Sequence, residues 1–465
     1  MSPAPAVYVG LDLGTGGGRA LAVAADGDVV GQGEAPLRSH RDGERHEQDA
    51  RDWWPAVATA CRDALAGIDA ARVAAVATCA TSGTILLVDR DGAPLTPALM
   101  YDDGRAAAQA RRLDTPASWS LPKLHWLIEH ETVAAGARAA HQADVVTRRL
   151  AGHAVASDAS HALKTGYDAG RSCFAAAGAR DVRDLLPAVV ASGARLGDVC
   201  AAAAAETGLP PGAAIVAGMT DGCAAQIAAG GLAPGDWNCE LGTTLVLKGC
   251  SPERIDVPSQ GVYSHRSPDG GWLPGGASSS GAGVLAATFP GHDLDELGRR
   301  AAAHERTTVL AYPLVSRGER FPFVAPDAEA FMLGSPADEG EHVAALMQGL
   351  ALVERLCFQR LARLGAPADG EVTLTGGATR NQAWCQLRAD ALGRAVRLPA
   401  RSESAFGMAI LAAATANGEP VADAARRMSR TRTVIEPRAA MAAHLDERYA
   451  CLLDELARRG WLADA

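Results

Sequence analysis

The chain has 465 residues, of which 48% are hydrophobic and 21% charged, enough to fill the cores of two or three globular domains. Its formal net charge of −10 gives no bulk attraction to nucleic acid or to an anionic membrane, and we expect neither as a partner. Glycine is the outlier, with 50 residues, more than a tenth of the chain, against a usual share of about 7%. These glycines follow no collagen period and cluster between apolar runs, which excludes a disordered chain and favours binding loops lined by backbone.

Single sequence features exclude several further classes of protein. The lysines are Lys123, Lys164 and Lys248, and none follows a glycine, so the chain has no Gly-Lys-Ser/Thr phosphate loop. The ten cysteines form no CxxC pair and no zinc-like spacing, which predicts free thiols in a reducing cytoplasm. The first residues do not resemble a signal peptide, and the longest uncharged stretch, 270–292, is too rich in Gly, Ser and Pro for a membrane helix.

The first elements in chain order are strands around a glycine-rich turn. The apolar pattern predicts a strand over 7–11 that ends at Asp12, a turn at 14–18, and further strands at 20–23 and near 29–30. Apolar residues at helical spacing then predict a helix from about Glu47 to Ile68, followed by short strands at 73–77 and 85–88. This order indicates an α/β domain with a mixed sheet covered by helices.

The same opening occurs a second time. Residues 238–247 again predict a strand, a Gly-Thr turn and a strand, and the triplet Leu-Gly-Thr around Gly14 recurs around Gly242, 228 positions later. We therefore predict two homologous domains, 1–233 and 234–465. Three further helices are predicted in the second half, over 343–357, from near Asn381, and over 441–456.

The first hairpin, Asp12–Arg19, has the composition of a phosphate-binding turn. Backbone N–H groups at Gly14 and Gly16 could contact phosphate, with a hydroxyl donor from Thr15 and a permanent positive charge from Arg19. Asp12 at the strand end could hold Mg²⁺ through water. The alternative is a glycine-rich hairpin with a purely structural aspartate.

The second hairpin, with Gly242, Thr243 and Thr244, would face the first across a cleft, an arrangement suited to the phosphates of one nucleotide. Just before the domain junction, Asp221 follows an apolar strand at 213–217 and begins a helix-like stretch. It could cap that helix, or it could accept a hydroxyl proton during phosphoryl transfer.

Two glycine segments of the second half are less specific. Gly376, Gly377 and Ala378 lie between a strand and a helix, and with Asn381 they offer a flat surface for adenine or ribose. The run 281–286 fits the loose dinucleotide pattern GxGxxG/A, but that pattern requires a preceding strand, and 274–280 is not expected to form one. The segment 275–283 has no role derivable from the sequence.

Eight motifs in order along nearly the whole chain resemble those of the FGGY carbohydrate kinase family, within the actin/Hsp70/sugar-kinase superfamily. They lie at residues 12–19, 81–84 with 99–105, 119–126, 218–221, 241–244, 318–322, 376–390 and 403–409. The resemblance implies two related actin/ribonuclease H-like domains, each a mixed sheet flanked by helices, with the active site in the cleft between them.

The resemblance also implies roles for residues in this chain. Asp221 would be the catalytic base in MgATP-dependent phosphorylation of a terminal sugar hydroxyl, and Asp12 would position Mg²⁺. ATP would be held by Gly14, Thr15, Gly16, Arg19, Gly242, Thr243, Thr244, Gly376, Gly377, Ala378 and Asn381. The sugar pocket would be lined by Thr81, Ser82, Gly83, Tyr101, Asp103 and Asp221.

The expected substrate is inferred from short segments that differ between branches of the family. Many xylulose kinases of the family have Met-His-Gly where this chain has Thr81-Ser82-Gly83, and the segments around Tyr101, Tyr263 and Leu314 look closest to the D-ribulose kinase branch. D-ribulose is therefore the favoured acceptor. The alternatives are D-xylulose or another polyol, a catalytically silent sugar or nucleotide sensor, and a chaperone-like ATPase. The sequence does not fix the oligomeric state, and a homodimer is compatible with it.

Overall fold

Two mixed sheets with the same strand arrangement form the framework of the computed structural model, which describes residues 5–462. The strands, in chain order, are β1 (Val7–Leu13), β2 (Gly17–Ala24), β3 (Val29–Pro36), β4 (His40–Asp42), β5 (Arg45–Gln48), β6 (Val73–Ala80), β7 (Ile85–Val88), β8 (Ala98–Leu99), β9 (Arg138–His141), β10 (Ser157–Asp158), β11 (Tyr167–Asp168), β12 (Cys173–Phe174), β13 (Val189–Val190), β14 (Arg195–Asp198), β15 (Ala214–Val216), β16 (Trp237–Leu241), β17 (Leu245–Gly249), β18 (Tyr263–Arg266), β19 (Trp272–Ser278), β20 (Leu310–Tyr312), β21 (Phe331–Leu333), β22 (Val372–Thr375), β23 (Val396–Pro399) and β24 (Thr431–Ile435). The α-helices are α1 (Trp53–Leu65), α2 (Ala107–Leu113), α3 (Ser120–His130), α4 (Gln142–Ala151), α5 (Ala159–Ala162), α6 (Ala177–Asp181), α7 (Ala201–Thr207), α8 (Asp221–Ala229), α9 (Gly283–Thr288), α10 (Leu294–Ala301), α11 (Glu339–Arg363), α12 (Gln382–Leu392), α13 (Ser404–Asn417), α14 (Val421–Met428) and α15 (Ala439–Arg458).

The chain divides into two compact units that are not contiguous in sequence. Unit 1 comprises the described residues up to Gly230 with His265–Gly270 and Arg401–Arg430, and unit 2 comprises Gly231–Ser264, Gly271–Ala400 and the described residues from Thr431 on. The predicted division at residue 233 therefore differs from these units over 265–270 and 401–430. The physical reason is the packing of α13, which lies against β1 so closely that a Cβ on Gly10 would be 1.7 Å from the carbonyl oxygen of Ala405.

The main sheet of unit 1 has the order β14-β15-β6-β1-β2-β3. Strands β15, β6 and β1 are parallel, while β2 pairs with β1, and β3 with β2, in antiparallel register. All seven residues of β1 are buried, as expected for a central strand covered on both faces. The parallel strands therefore bring their carboxyl ends to one edge of the sheet.

The main sheet of unit 2 repeats this plan. Its order is β18-β19-β17-β16-β22-β23-β24, with β16, β22 and β23 parallel and with β17 and β19 added in antiparallel register. Strands β1, β2, β6 and β15 thus correspond to β16, β17, β22 and β23. The predicted pair of related α/β domains, each a mixed sheet flanked by helices, is confirmed.

Two expectations about single elements are wrong. The helix predicted from Glu47 begins at Trp53, because Arg45–Gln48 is a strand that pairs with β4 and β8. The segment before Gly281 does form a strand, β19, although it is rich in Gly and Ser. Because β19 pairs with β17 in antiparallel register, it is not the parallel strand of a dinucleotide-binding βαβ unit. Within residues 5–462, no helix has the length and apolar content needed to cross a membrane.

Candidate functional site

Three of the predicted site residues lie at the carboxyl-end edge of the unit 1 sheet. Asp12 is the penultimate residue of β1, Thr81 directly follows β6, and Asp221 follows β15 after a short connection. Strand pairing fixes their neighbourhood, because Asp12 lies opposite Cys79 and Thr220 bridges to Ala80 in parallel register. Open α/β sheets bind ligands at this edge, so it is the first candidate site.

The Asp12 carboxyl group has a strongly perturbed pKa. Burial and the nearby Asp221 carboxylate together raise this pKa to about 6, although Arg19 opposes the shift. The Arg19 guanidinium is 3.7 Å from Asp12 Oδ2, but its side chain is 59% exposed, so it screens the carboxylate only weakly. Two nearby carboxylates in a poorly hydrated place make a site that favours a cation or a proton.

The turn of the first hairpin is closed by backbone hydrogen bonds and anchored by one side chain. Gly14 N donates to Gly17 O at 3.0 Å, which tightens the turn. Gln48 Nε2 donates to Thr15 O at 2.8 Å, and Gln48 Oε1 accepts from Trp53 Nε1 at 2.8 Å. No sequence signal identifies Gln48, since its partner Thr15 lies 33 positions away.

Asp221 is the first residue of α8, as predicted, and its helix is positioned by buried polar contacts. Thr220 N donates to Ser160 Oγ at 3.2 Å, and Ser160 Oγ is 3.0 Å from His265 Nδ1. Asp221 Oδ1 accepts from the N–H of Gly222 at 2.7 Å, which orients the carboxylate at the helix start. His265 belongs to unit 1 although it comes late in the chain, so sequence order could not reveal this contact.

The side chain of Thr81 is committed to an internal network. Its hydroxyl donates to Gln142 Oε1 at 2.6 Å, its backbone N–H reaches the same oxygen at 3.2 Å, and Thr84 Oγ1 is 2.6 Å away. Ser82 is half-buried, and its hydroxyl oxygen has no hydrogen-bond partner among the described residues. Of this predicted sugar-binding stretch, therefore, Thr81 is a framework residue and Ser82 retains bonding capacity.

Asp103 is also held by the protein itself. It is 1% exposed, Oδ2 accepts from His46 N at 2.8 Å, and Arg105 binds both carboxylate oxygens at 2.8–3.0 Å. Tyr101, two residues earlier, is 40% exposed. The neighbouring Asp102 contacts His46 and Arg41, and these contacts hold its pKa below the usual value although burial opposes the shift.

The second hairpin lies at the corresponding edge of unit 2. Gly242 N donates to Thr244 O at 3.1 Å, and Thr243 is exposed at the tip. The segment after β19 packs directly on this turn, because Ala282 N donates to Gly242 O at 2.8 Å. A Cβ on Gly281 would be 2.3 Å from Thr243 O, so only glycine allows this approach. The sequence predicted no role for Gly281 and Gly283. In the structure both glycines pack against Thr243 and so support the second hairpin.

Glu319 organises the residues that follow β19. It is 2% exposed, and Oε2 accepts from Ser278 Oγ at 2.9 Å and from Tyr312 Oη at 2.7 Å. Oε1 accepts from the backbone N–H of Ser279 at 2.6 Å and of Arg320 at 2.9 Å. A buried carboxylate with this many donors is well solvated by the protein, so it holds the segment in one conformation.

The Gly-Gly turn of unit 2 follows β22 at the same edge. Gly376 has φ +86°, and a Cβ there would be 2.5 Å from Leu241 O. Gly377 is exposed, Ala378 is buried, and Asn381 Oδ1 caps α12 by accepting from Trp384 N at 3.0 Å. Along α12, the helix that follows this turn, lies a cavity whose lining includes Ala301, Met347, Ala383, Gln386 and Leu387.

The described residues form neither a metal-binding cluster nor a disulfide. Residues 5–462 contain no group of three or more His, Cys, Asp or Glu side chains arranged to hold a metal ion. All ten cysteines are free thiols, as the sequence predicted. Asp12 and Asp221 are two carboxylates of this edge that interact electrostatically.

Comparisons with known proteins agree with this geometry. Residues 7–119 match the N-terminal domain, and residues 237–416 the C-terminal domain, of the FGGY family of carbohydrate kinases. The xylulose kinase of Streptomyces coelicolor is 32% identical over 90% of both chains, and that of Streptomyces rubiginosus is 30% identical over 90% of both. The crystal structure of xylulose kinase from Rhodospirillum rubrum superposes with a TM-score of 0.86 at 24% identity, covering 97% of this chain and 98% of that one.

Proposed function

Because this chain belongs to the FGGY family of carbohydrate kinases, we propose that it transfers the γ-phosphoryl group of ATP to the terminal hydroxyl of a ketopentose, with D-xylulose as the preferred acceptor. The observation that carries the proposal is the pair of carboxylates, Asp12 and Asp221, at the carboxyl ends of parallel strands in unit 1.

Asp221 accepts the proton of the sugar hydroxyl as that oxygen attacks phosphorus. Its place at the start of α8 supports this role, since the hydrogen bond from Gly222 N orients the carboxylate. The helix-capping alternative is less well supported, because Thr220, and not Asp221, is the N-terminal flanking residue of α8.

Asp12 would hold Mg²⁺, with Asp221 nearby, and the ion would supply charge neutralisation to the phosphates of ATP. The raised pKa of Asp12 supports this assignment, since a cation relieves the repulsion between the two carboxylates. In unit 1, Thr15, Arg19 and the hairpin amides would bind polyphosphate, and in unit 2 Thr243 and Thr244 have the same capacity.

Adenosine binds to unit 2 at Gly376, Gly377 and Ala378. The exposed backbone at Gly377 and the cavity along the following helix α12 support this site. Because Asn381 Oδ1 already caps α12, Asn381 would contact the nucleotide through Nδ2.

D-ribulose is the second candidate acceptor. It is favoured by the residues Thr81-Ser82-Gly83, which replace the Met-His-Gly of many xylulose kinases, whereas the names of the similar curated proteins favour D-xylulose. Ser82 and Tyr101 are the residues through which the pocket would distinguish the two sugars, because Thr81 and Asp103 are engaged internally. The free thiols support a reducing compartment such as the cytoplasm.

A coupled assay of ADP release over D-xylulose, D-ribulose, L-ribulose, ribitol and glycerol tests the proposal. We expect kcat/KM to be highest for D-xylulose, with D-ribulose next. A higher kcat/KM for D-ribulose would make D-ribulose the assigned acceptor and would leave the assignment as a sugar kinase unchanged. ATP binding without turnover of any sugar would instead support a silent sensor.

A further inference from the structure

The buried Lys123 side chain connects three separate segments of the predicted sugar site. Lys123 lies on α3 and is 0% exposed. Its Nζ donates to Met100 O at 2.6 Å, Tyr101 O at 2.8 Å, Gly83 O at 3.1 Å and Ser118 O at 3.2 Å. Four main-chain carbonyls thus share the three protons of one ammonium group.

The segments joined in this way carry the residues assigned to the sugar. Gly83 follows Thr81 and Ser82 after β6, and Tyr101 precedes Asp103 after β8. A Cβ on Gly83 would be 2.5 Å from Ser118 O, so the segments approach each other as closely as backbone allows. The distance between Ser82 and Tyr101 is therefore governed by a contact that touches neither side chain.

The proton on Nζ is required for this arrangement. An ammonium group has three N–H donors, whereas a neutral amine has two and directs a lone pair at the remaining carbonyls. Burial and the nearby Lys164 together lower the pKa of Lys123 to about 7, although Asp103 and Asp102 oppose the shift. Arg105 and His46 bind these two carboxylates on their other sides. The charge on Lys123 therefore changes near neutral pH.

We propose that Lys123 is a positioning residue whose protonated form sets the geometry of the sugar-binding segments, so that sugar affinity depends on its charge. This inference rests on the proposed function, because it assumes that the segments around Ser82 and Tyr101 contact the acceptor. As pH rises above about 7, the ammonium is lost, the segments separate, and the acceptor binds more weakly. Nucleotide binding through unit 2 is unaffected.

The first measurement uses the unmodified protein. Binding of D-xylulose and D-ribulose without nucleotide is measured by calorimetry from pH 6 to pH 9, which avoids the titration of ATP phosphates. We expect the dissociation constant of the acceptor to be constant below about pH 7 and to rise up to tenfold per pH unit above it. A dissociation constant that is flat from pH 6 to pH 9 overturns the inference.

The second measurement uses Lys123→Met, which keeps the length of the side chain and removes its donors. We expect a sugar KM at pH 6.5 raised at least tenfold, a KM for MgATP within twofold, and no further rise of the sugar KM with pH. Lys248→Met is the matched control, because Lys248 is a buried lysine of unit 2. A normal sugar KM in a folded Lys123→Met variant overturns the inference, and if the variant does not fold, the pH series decides. Absence of turnover by the unmodified protein would contradict the proposed function instead.

Discussion

Replacing Asp12 by Asn should stabilise the protein while it removes activity. Burial and the Asp221 carboxylate raise the pKa of Asp12 from 3.8 to about 6. At about 1.4 kcal/mol for each pKa unit, keeping Asp12 ionised in the folded state costs roughly 3 kcal/mol above pH 6. The pKa of about 6 already includes the opposing effect of Arg19, so Asp12→Asn should gain about 3 kcal/mol at pH 7.5.

The dependence on pH distinguishes this effect from a simple packing change. Between pH 3.8 and pH 6 the folded state binds the proton of Asp12 more tightly than the unfolded chain does, so its contribution to stability falls as pH rises through that window. The gain in stability from Asp12→Asn should therefore be about half as large at pH 5 as at pH 7.5, and it should be absent below pH 3.8. Calorimetry should show a rise of about 6 °C at pH 7.5 in the transition of unit 1.

The assay pairs this melting series with sugar-dependent ADP release. The kcat of Asp12→Asn should fall at least about 100-fold, as expected when a group that stabilises developing charge is removed. Asp91→Asn, at an exposed turn, is the control and should change neither property. A variant that is no more stable than the unmodified protein at pH 7.5, or one with the same gain at every pH, would refute the reasoning.

Two further substitutions test unit 2. Glu319→Gln places an amide among the donors of Ser278, Ser279 and Tyr312, so we expect about 3 kcal/mol of destabilisation and a raised KM for MgATP. Glu329→Gln, at an exposed position, is the control. Equal stability of the two variants in chemical denaturation would contradict this expectation. Gly376→Ala should raise the KM for MgATP at least tenfold and that for sugar less than threefold. Gly365→Ala, with the same φ of +86° and open space, separates backbone strain from the clash with Leu241, and equal nucleotide KM values in both variants would place adenosine elsewhere.

Much of the fold was predictable because its signals are local. The repeated Leu-Gly-Thr triplet predicted the duplication and with it strand β16, and the residues of strands β1 and β6 follow from short apolar runs. The likeness of eight ordered motifs to the FGGY family was confirmed by matches to both of its domains. Strand β19 was missed because its stability comes from pairing with β17, and not from the preferences of its Gly and Ser residues.

The residues that support the site could not be predicted, because their contacts are also made with residues distant in the sequence. Gly83 O and Met100 O, which accept hydrogen bonds from Lys123, lie 40 and 23 positions away, and the contact from Glu319 to Ser278 spans 41 positions. Composition and spacing indicate which residue types are present, but not which distant carbonyls or hydroxyls meet them. The internal bonds of Thr81 and Asp103 likewise became visible only in the folded chain.

Turnover by Asp221→Asn is the most direct test of the central claim that this residue accepts the proton in phosphoryl transfer to a sugar. The variant keeps the size of the side chain and the start of α8, so the fold and the nucleotide site should be retained. With saturating MgATP and the best acceptor of the panel, we expect kcat to fall at least about 1,000-fold while the dissociation constant for MgATP stays within threefold. A kcat within tenfold of that of the unmodified protein would contradict the account.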